Sequence, residues 1–282
     1  MSYFNIQQFI KEALNEDIQT GDITSLACIP ADDISHAILK VKEDGVLAGV
    51  ELAKSIFQYI DPEIHLNIFK LDGSYIHYGD IAFEVKGKTR DLLKAERLIL
   101  NSMQRMSGIA TLSNRYVVEV SDLPVQLLDT RKTTPLIRYL EKWAVKIGGC
   151  KNYRDGLYDW FMIKDNHITA CGSIIKAIKA VKKYQKTNNL ENLGITVEVK
   201  NLEELEQVLR FGNVTRVMLD NFALPLLAEG VAMVGKKLET EASGGISLET
   251  VRKVALTGVD FISIGALTHS AGSLDLSLKI QN

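Results

Sequence analysis

Residues 195–220, ITVEVKNLEELEQVLRFGNVTRVMLD, contain one complete strand–helix–strand unit, and they decide how the second half of the chain is read. The run Ile195–Val199, apolar apart from Thr196 and Glu198, reads as a strand covered on both faces. Asn201 followed three residues later by Glu204 is a helix-start signature, and Leu202, Leu205, Val208 and Leu209 then fall on one helical face. VMLD repeats the first run: a short apolar segment that stops on an acid.

Outward from this unit the same grammar recurs from about residue 120. VQLLDT, WFMIKDN, ITVEVKN, VMLDN, LETEASGG and FISIGAL are short apolar runs ending on a polar or small residue, with helical segments between them. SIIKAIKAVKKYQK puts Ile174, Ile175, Ile178, Val181 and Tyr184 on one face; SLETVRKVALTG opens on the cap Ser247 and stops at Gly258. Consecutive β-then-α units with apolar strands predict a parallel sheet covered by helices, and their even spacing favours a barrel. Upstream of residue 108 the pattern is α+β. An opening helix (about Ile6 to Leu14) precedes HAILKVKEDGVLAGV, read as two paired strands around Glu43-Asp44-Gly45. ELAKSIFQYI reads as a helix, HLNIFKLDGSYIHYGDIAFEVKG as further strands, and a long helical pattern from Arg90 carries a break near Gly108.

Composition narrows the function classes. The 282 residues are 46% hydrophobic and 24% charged, which excludes disorder and fits one or two globular domains. Lys+Arg 33 against Asp+Glu 35 leaves no basic field to recruit nucleic acid or an anionic membrane. No apolar stretch approaches the roughly 20 residues that span a bilayer. Cys28, Cys150 and Cys171 form neither a disulfide framework nor a CxxC metal site, and the N-terminus lacks the basic flank of a signal peptide, so a cytoplasmic location is expected.

In a parallel α/β barrel the C-terminal strand ends converge on one mouth, where chemistry is done. Here those ends carry Asp129, Lys164, Glu198, Asp220, Ser243 and Gly265. SGGIS, with Ser243, Gly244 and Gly245, and SIGALTHSAG, with Gly265 and His269, lie on the last two strands, the usual place for a phosphate. Between Arg131 and Lys164 the chain holds Arg131, Lys132, Arg138, Lys142, Lys146, Lys151, Arg154 and Lys164. Lys142, Lys146 and Lys151 read as a solvated helix face. Arg131, Lys132, Arg154 and Lys164 follow strands or sit in a glycine-bordered loop, and point to a compact, multiply charged anion. Glu198 and Asp220, on neighbouring strands, are candidates to hold Mg2+ or sugar hydroxyls, or else they neutralise the surrounding bases.

DTRKTTP, the GG…NxR loop, IKDNHI, VEV, MLDN, EASGGI and ISIGALTHS, in this order, closely resemble the quinolinate phosphoribosyltransferase family, together with AERLILNSMQRMSGIAT and the N-terminal GDITS. The resemblance spans almost the whole chain. It implies an α/β fold in which an N-terminal α+β domain (residues 1–108) is followed by an incomplete parallel α/β barrel (residues 109–270), with residues 271–282 packing back on the first domain. It implies transfer of phosphoribosyl from phosphoribosyl pyrophosphate to quinolinate with decarboxylation, a step of NAD synthesis. Mg2+ would enter with the phosphoribosyl donor, and no organic cofactor is called for. Arg131, Arg154 and Lys164 would grip the quinolinate carboxylates. Arg97 would complete that site from the neighbouring subunit of a homodimer or of a hexamer. Lys132, Glu198 and Asp220 would meet ribose, pyrophosphate and Mg2+, and Ser243, Gly244, Gly245, Gly265 and His269 would serve the phosphate end. Lys132, Lys164, Glu198 and Asp220 would be the catalytic set.

The chain departs from the family pattern at three places. Asn152-Tyr153-Arg154 stands where the family usually has NHR, Cys150 replaces a third glycine, and Leu136 replaces the glycine after DTRKTTP. A tyrosine cannot carry the charge of an imidazolium, so a weaker or altered grip on carboxylates is expected. Three other readings stand beside the first. They are a phosphoribosyltransferase for another carboxylated heteroaromatic acid, a phosphosugar lyase using Lys164 as a Schiff base, and a barrel kept as a non-enzymatic binding partner.

Overall fold

The structure is a computed structural model and describes residues 4–281. The chain forms two compact units. One takes in the chain as far as Asn114, Thr134–Gly149 and the chain from Ser270; the other comprises Arg115–Thr133 and Cys150–His269.

The first unit contains α1 (Ile6–Ile18), α2 (Ile23–Cys28), β1 (Ile34–Val41), β2 (Gly45–Val46), α3 (Val50–Ile60), β3 (His65–Ile68), β4 (Tyr75–Ile76) and β5 (Ile81–Lys88). Helix α4 (Thr89–Glu119) belongs to it as far as Asn114, and α5 (Arg138–Ile147) lies wholly within it. Its antiparallel sheet also uses the last strand of the chain, β12 (Leu276–Gln281), which pairs with β1 from His36↔Gln281 to Val41↔Leu276. The sheet order is β12-β1-β5-β3. Asn5 caps α1 by accepting the Gln8 N–H at 3.1 Å, and that helix buries Ile10 and Leu14. Phe57 of α3 meets Phe83 of β5 edge-on at 6.1 Å, and Leu39, Leu92, Ile99 and Met103 are fully buried with them.

Three expectations for this unit are corrected. β1 and β2 do not pair with each other: β1 pairs with β5 and β12, and β2 with β4. The turn residue Asp44 explains why, because its carboxylate accepts the Tyr78 N–H at 2.7 Å and bonds His77 Nδ1 at 3.2 Å, drawing β2 toward β4. Nor does α4 break near Gly108. It runs unbroken for 31 residues, and Gly108 serves a close approach instead, since a Cβ there would lie 1.8 Å from the Gly272 carbonyl oxygen. Lys142 is buried at 1% exposure rather than solvated, and Lys151 lies beyond the end of α5, bridged to Leu128.

The second unit contains β6 (Gln126–Leu128), β7 (Phe161–Ile163), α6 (Asp165–Cys171), α7 (Ile174–Asn188), β8 (Ile195–Val199), α8 (Leu202–Phe211), β9 (Arg216–Asp220), α9 (Leu224–Val234), β10 (Glu239–Ser243), α10 (Leu248–Ala255), β11 (Phe261–Ser263) and α11 (Ala266–His269). Every pairing in its six-stranded sheet is parallel, in the order β6-β11-β10-β9-β8-β7. This is the α/β barrel read from the repeated β-then-α grammar, incomplete because β6 and β7 end the order without pairing. Lys151 borders β6 on its free side, donating its N–H to Leu127 O at 2.8 Å and accepting the Asp129 N–H at 3.0 Å. Asn201 caps α8 through the Glu204 N–H at 2.8 Å, as its spacing predicts. On α7 the inward face differs in detail: Gln185 is buried, its amide donating to Leu193 O at 2.7 Å, and Tyr184 is exposed. Among the described residues no helix is long and apolar enough to cross a membrane.

Candidate active site

The strand order sets Lys164, Glu198, Asp220, Ser243 and Gly265 side by side, each within two residues of the C-terminal end of β7 to β11 in turn. They line a cavity of about 740 Å³ within the second unit, with Arg131, Lys132, Arg154, Gly244, Gly245 and His269 around them. Arg97 belongs to the other unit, where it is exposed on α4. Asp129, the remaining polar strand end, is fully buried and accepts the Tyr153 N–H at 2.8 Å, so it holds the basic loop.

Charge is arranged unevenly around this cavity. On one side Lys164 Nζ donates to Glu198 Oε2. Asp220 next to it accepts from Ser243 Oγ at 2.5 Å and from Asn221 Nδ2 at 2.8 Å, which turns its carboxylate along the rim. Gly244 has φ 93 and carries no side chain that would collide with Asn221: a Cβ there would lie 2.1 Å from Asn221 Oδ1. Lys132 is held by its main chain, its carbonyl accepting from Thr268 Oγ1 at 2.7 Å and its N–H donating to Thr130 Oγ1 at 3.1 Å.

On the other side two guanidinium groups, those of Arg131 and Arg154, line the same cavity. Arg131 has its Nε buried with no hydrogen-bond partner among the described atoms. Arg154 makes a long bond of 3.4 Å to Trp160 O, and its affinity for its proton is lowered, first by burial and then by the positive charge of Arg131. A buried donor without an acceptor and two cations facing one cavity are suited chemically to an anion, since a carboxylate there would supply acceptors and relieve the repulsion.

Beneath the cavity lies a polar layer that the strand-end pattern did not reveal. Glu241 is fully buried; its carboxylate accepts from Ser263 Oγ and, at 3.1 Å, from Arg216 Nη1. Burial raises its pKa, and the Ser263 and Arg216 contacts oppose the rise. Arg216 also bonds Glu239 at 2.9 and 3.0 Å and lies 3.7 Å over the Phe261 ring. Tyr153 reaches down into this layer, its hydroxyl 2.5 Å from Thr196 Oγ1. Burial, and then the charge of Glu241, push the phenol well above its usual pKa, so it stays neutral. Ser263, Met162 and Met218 line the cavity but were missed by sequence reasoning, as was Asn221. The strand period was the available signal, since Met162, Met218 and Ser263 each precede a named strand-end residue by two and share its face. Leu136, in the first unit, takes φ 68 and is 93% exposed; Cys150 is buried.

Comparison with known proteins gives one consistent result. Residues 22–107 match the family described as quinolinate phosphoribosyl transferase, N-terminal domain, and residues 109–279 the corresponding C-terminal domain. The chain is 46% identical to the chloroplastic nicotinate-nucleotide pyrophosphorylase (carboxylating) of Arabidopsis thaliana, over 98% of this chain and 83% of that protein. It is 39% identical to the probable enzyme of that name from Bacillus subtilis, over 99% and 95% of the two. Among solved structures, NadC from Streptococcus pyogenes superposes with a TM-score of 0.92 at 36% identity, covering 100% of this chain and 99% of that one. The nicotinate-nucleotide pyrophosphorylase from Francisella tularensis gives 0.90 at 38% identity, over 98% and 96%.

Proposed function

The chain belongs to the quinolinate phosphoribosyltransferase family, and from that premise we propose how its cavity performs the reaction. The enzyme joins phosphoribosyl pyrophosphate and quinolinate into nicotinate mononucleotide, releasing pyrophosphate and CO2, a step of NAD biosynthesis. The observation that carries this reading is the pair Arg131 and Arg154, one with an unpartnered buried Nε, facing the same cavity as the Lys164–Glu198 pair.

In the reading proposed here Arg131 and Arg154 take the two carboxylates of the pyridine, and Lys164 borders the ring on the other side. The Asp220–Ser243 end and the glycine turn at Gly244 and Gly245 take the ribose and its phosphate, with Gly265 and His269. The C1–O bond to pyrophosphate breaks as positive charge grows on the ribose. Glu198 and Asp220 favour that charge, and Lys132 receives the negative leaving group. The ring nitrogen bonds to C1 and becomes cationic. Loss of the adjacent carboxylate as CO2 leaves its electron pair on the ring carbon, where the cationic nitrogen stabilises it, and a proton then takes that position. The residues chiefly orient two anions that repel each other in water.

Mg2+ suits this donor set. Glu198 and Asp220 offer two carboxylates on neighbouring strands and leave the remaining positions to substrate oxygens and water, as the ion prefers. Bound there, the ion would neutralise pyrophosphate charge. We further propose a cytoplasmic enzyme working as a homodimer or an assembly of dimers, in which a second copy lends the exposed Arg97 to the site.

Purified protein mixed with quinolinate, phosphoribosyl pyrophosphate and Mg2+ is expected to form nicotinate mononucleotide and CO2 in equal amounts. Product without CO2, or turnover only with another heteroaromatic acid, would replace this reading with the alternative substrate. For Arg97, mixing inactive Arg97→Ala with inactive Lys164→Ala is expected to restore activity in hybrid dimers, and no recovery from that mixture refutes sharing.

A further inference from the structure

Tyr153 lines the cavity and reaches from there into the polar layer beneath it. Its main-chain N–H is fixed by the fully buried Asp129, and its hydroxyl sits 2.5 Å from Thr196 Oγ1. Trp160 Nε1 donates to the same Thr196 oxygen at 2.9 Å. The indole can only donate, so Thr196 Oγ1 accepts from it, and the same oxygen is shared with the Tyr153 hydroxyl, where either group can be the donor. Beside burial, the charge of the buried Glu241 acts on the Tyr153 hydroxyl and helps to keep it protonated. The ring stacks edge-on against Trp160 at 5.9 Å, and the Arg216 guanidinium lies 5.0 Å from its centroid. Tyr153 is thus held at three points, by main chain, hydroxyl and ring face.

Arg154, the next residue, is held far less. Its guanidinium makes the 3.4 Å bond to Trp160 O and faces a second cation. Repulsion from Arg131 would drive a free arginine at this place toward solvent, where water screens the charge. What opposes that movement is the Trp160 carbonyl, the negative charges of Asp159 and Glu241, and the backbone at residue 153, which Asp129 and the tyrosine side chain anchor together. The side chain of Tyr153 spends its hydroxyl below the cavity, so it offers no charge to an anion above it.

We propose that Tyr153 is a positioning residue for the carboxylate site: through Thr196 and Glu241 it holds Arg154 beside Arg131 and sets the affinity for the dicarboxylate. The proposal rests on the reading of the site given above. It separates two jobs, with charge supplied by the arginines and their spacing by a neutral residue wired into the barrel interior.

Tyr153→Phe in the full-length enzyme removes the hydroxyl and keeps the ring with its Trp160 and Arg216 contacts. Loss of this one buried hydrogen-bond link is expected to raise the quinolinate KM about ten-fold, with kcat and the phosphoribosyl pyrophosphate KM within about two-fold of the parent. Calorimetry with pyridine-2,3-dicarboxylate alone is expected to show the same weakening. Thr196→Val should reproduce the effect, Thr196→Ser should restore parent values, and the double variant Y153F/T196V should be no worse than either single one. An unchanged dicarboxylate affinity in Y153F overturns the positioning role. So does a fall in kcat, both KM values and the urea midpoint together, which marks a packing residue. A parent enzyme that binds no quinolinate overturns the underlying reading as well, and the two failures are told apart by that control.

Discussion

Replacing Glu141 tests how the turn that follows Lys132 is held. Glu141 is fully buried in α5, and its carboxylate collects Arg105 Nε at 3.0 Å, Arg105 Nη2 at 2.7 Å, the Thr134 N–H at 3.0 Å and Thr134 Oγ1 at 2.8 Å. Glu141→Gln preserves the shape but removes the charge, and turns an NH2 toward a group of donors. Stranding one partner of a buried ion pair costs about 3–5 kcal/mol. Arg105 is a quarter exposed and keeps its bond to Ala271 O at 2.6 Å, so the lower end applies, about 3 kcal/mol. At about 2–4 °C per kcal/mol, the melting temperature should drop by about 6–12 °C. Urea and thermal unfolding of E141Q, Arg105→Met and the double variant close a cycle whose coupling energy should exceed about 1.5 kcal/mol. Thr134 is two residues beyond Lys132, so released turns should also lower kcat. A loss below about 1 kcal/mol, within the range of an ordinary surface salt bridge, would refute the view that this carboxylate pins the turn.

Lys164→Ala is expected to abolish detectable turnover while the urea midpoint stays near that of the parent; near-normal activity would remove Lys164 from the mechanism. Gly244→Ala forces a side chain into φ 93 and into Asn221, so the phosphoribosyl pyrophosphate KM should rise at least about five-fold, given a strain of about 1–3 kcal/mol, with dicarboxylate binding unchanged in calorimetry. Asp122 is held at a pKa of about 2, mainly by its hydrogen bonds from Arg252 at 2.7 and 2.8 Å. Because the folded value lies below the ordinary 3.8, this stabilisation is complete above that value and disappears as pH falls through about 2. Asp122→Asn should therefore narrow the stability difference between pH 5 and pH 2, and high salt should shrink the effect because both groups are exposed.

Much of the second unit was legible in the sequence because its information is local. A buried parallel strand needs an apolar run, its helix needs a face and a cap, and the direction of the sheet follows from the alternation. Strand direction also tells which end carries the polar residues, so Lys164, Glu198, Asp220, Ser243 and Gly265 could be named before any coordinate was known, and the structure gathers them around one cavity. Periodicity says nothing about partners distant in the chain. The pairing of β1 with β12, the burial of Lys142, the passage of α4 through Gly108 and the descent of Tyr153 to Thr196 and Glu241 each depend on residues brought near only by folding. A side chain's neighbours, and hence its charge state and its job, are properties of the tertiary structure, because electrostatic and hydrogen-bond energies act across space and not along the chain.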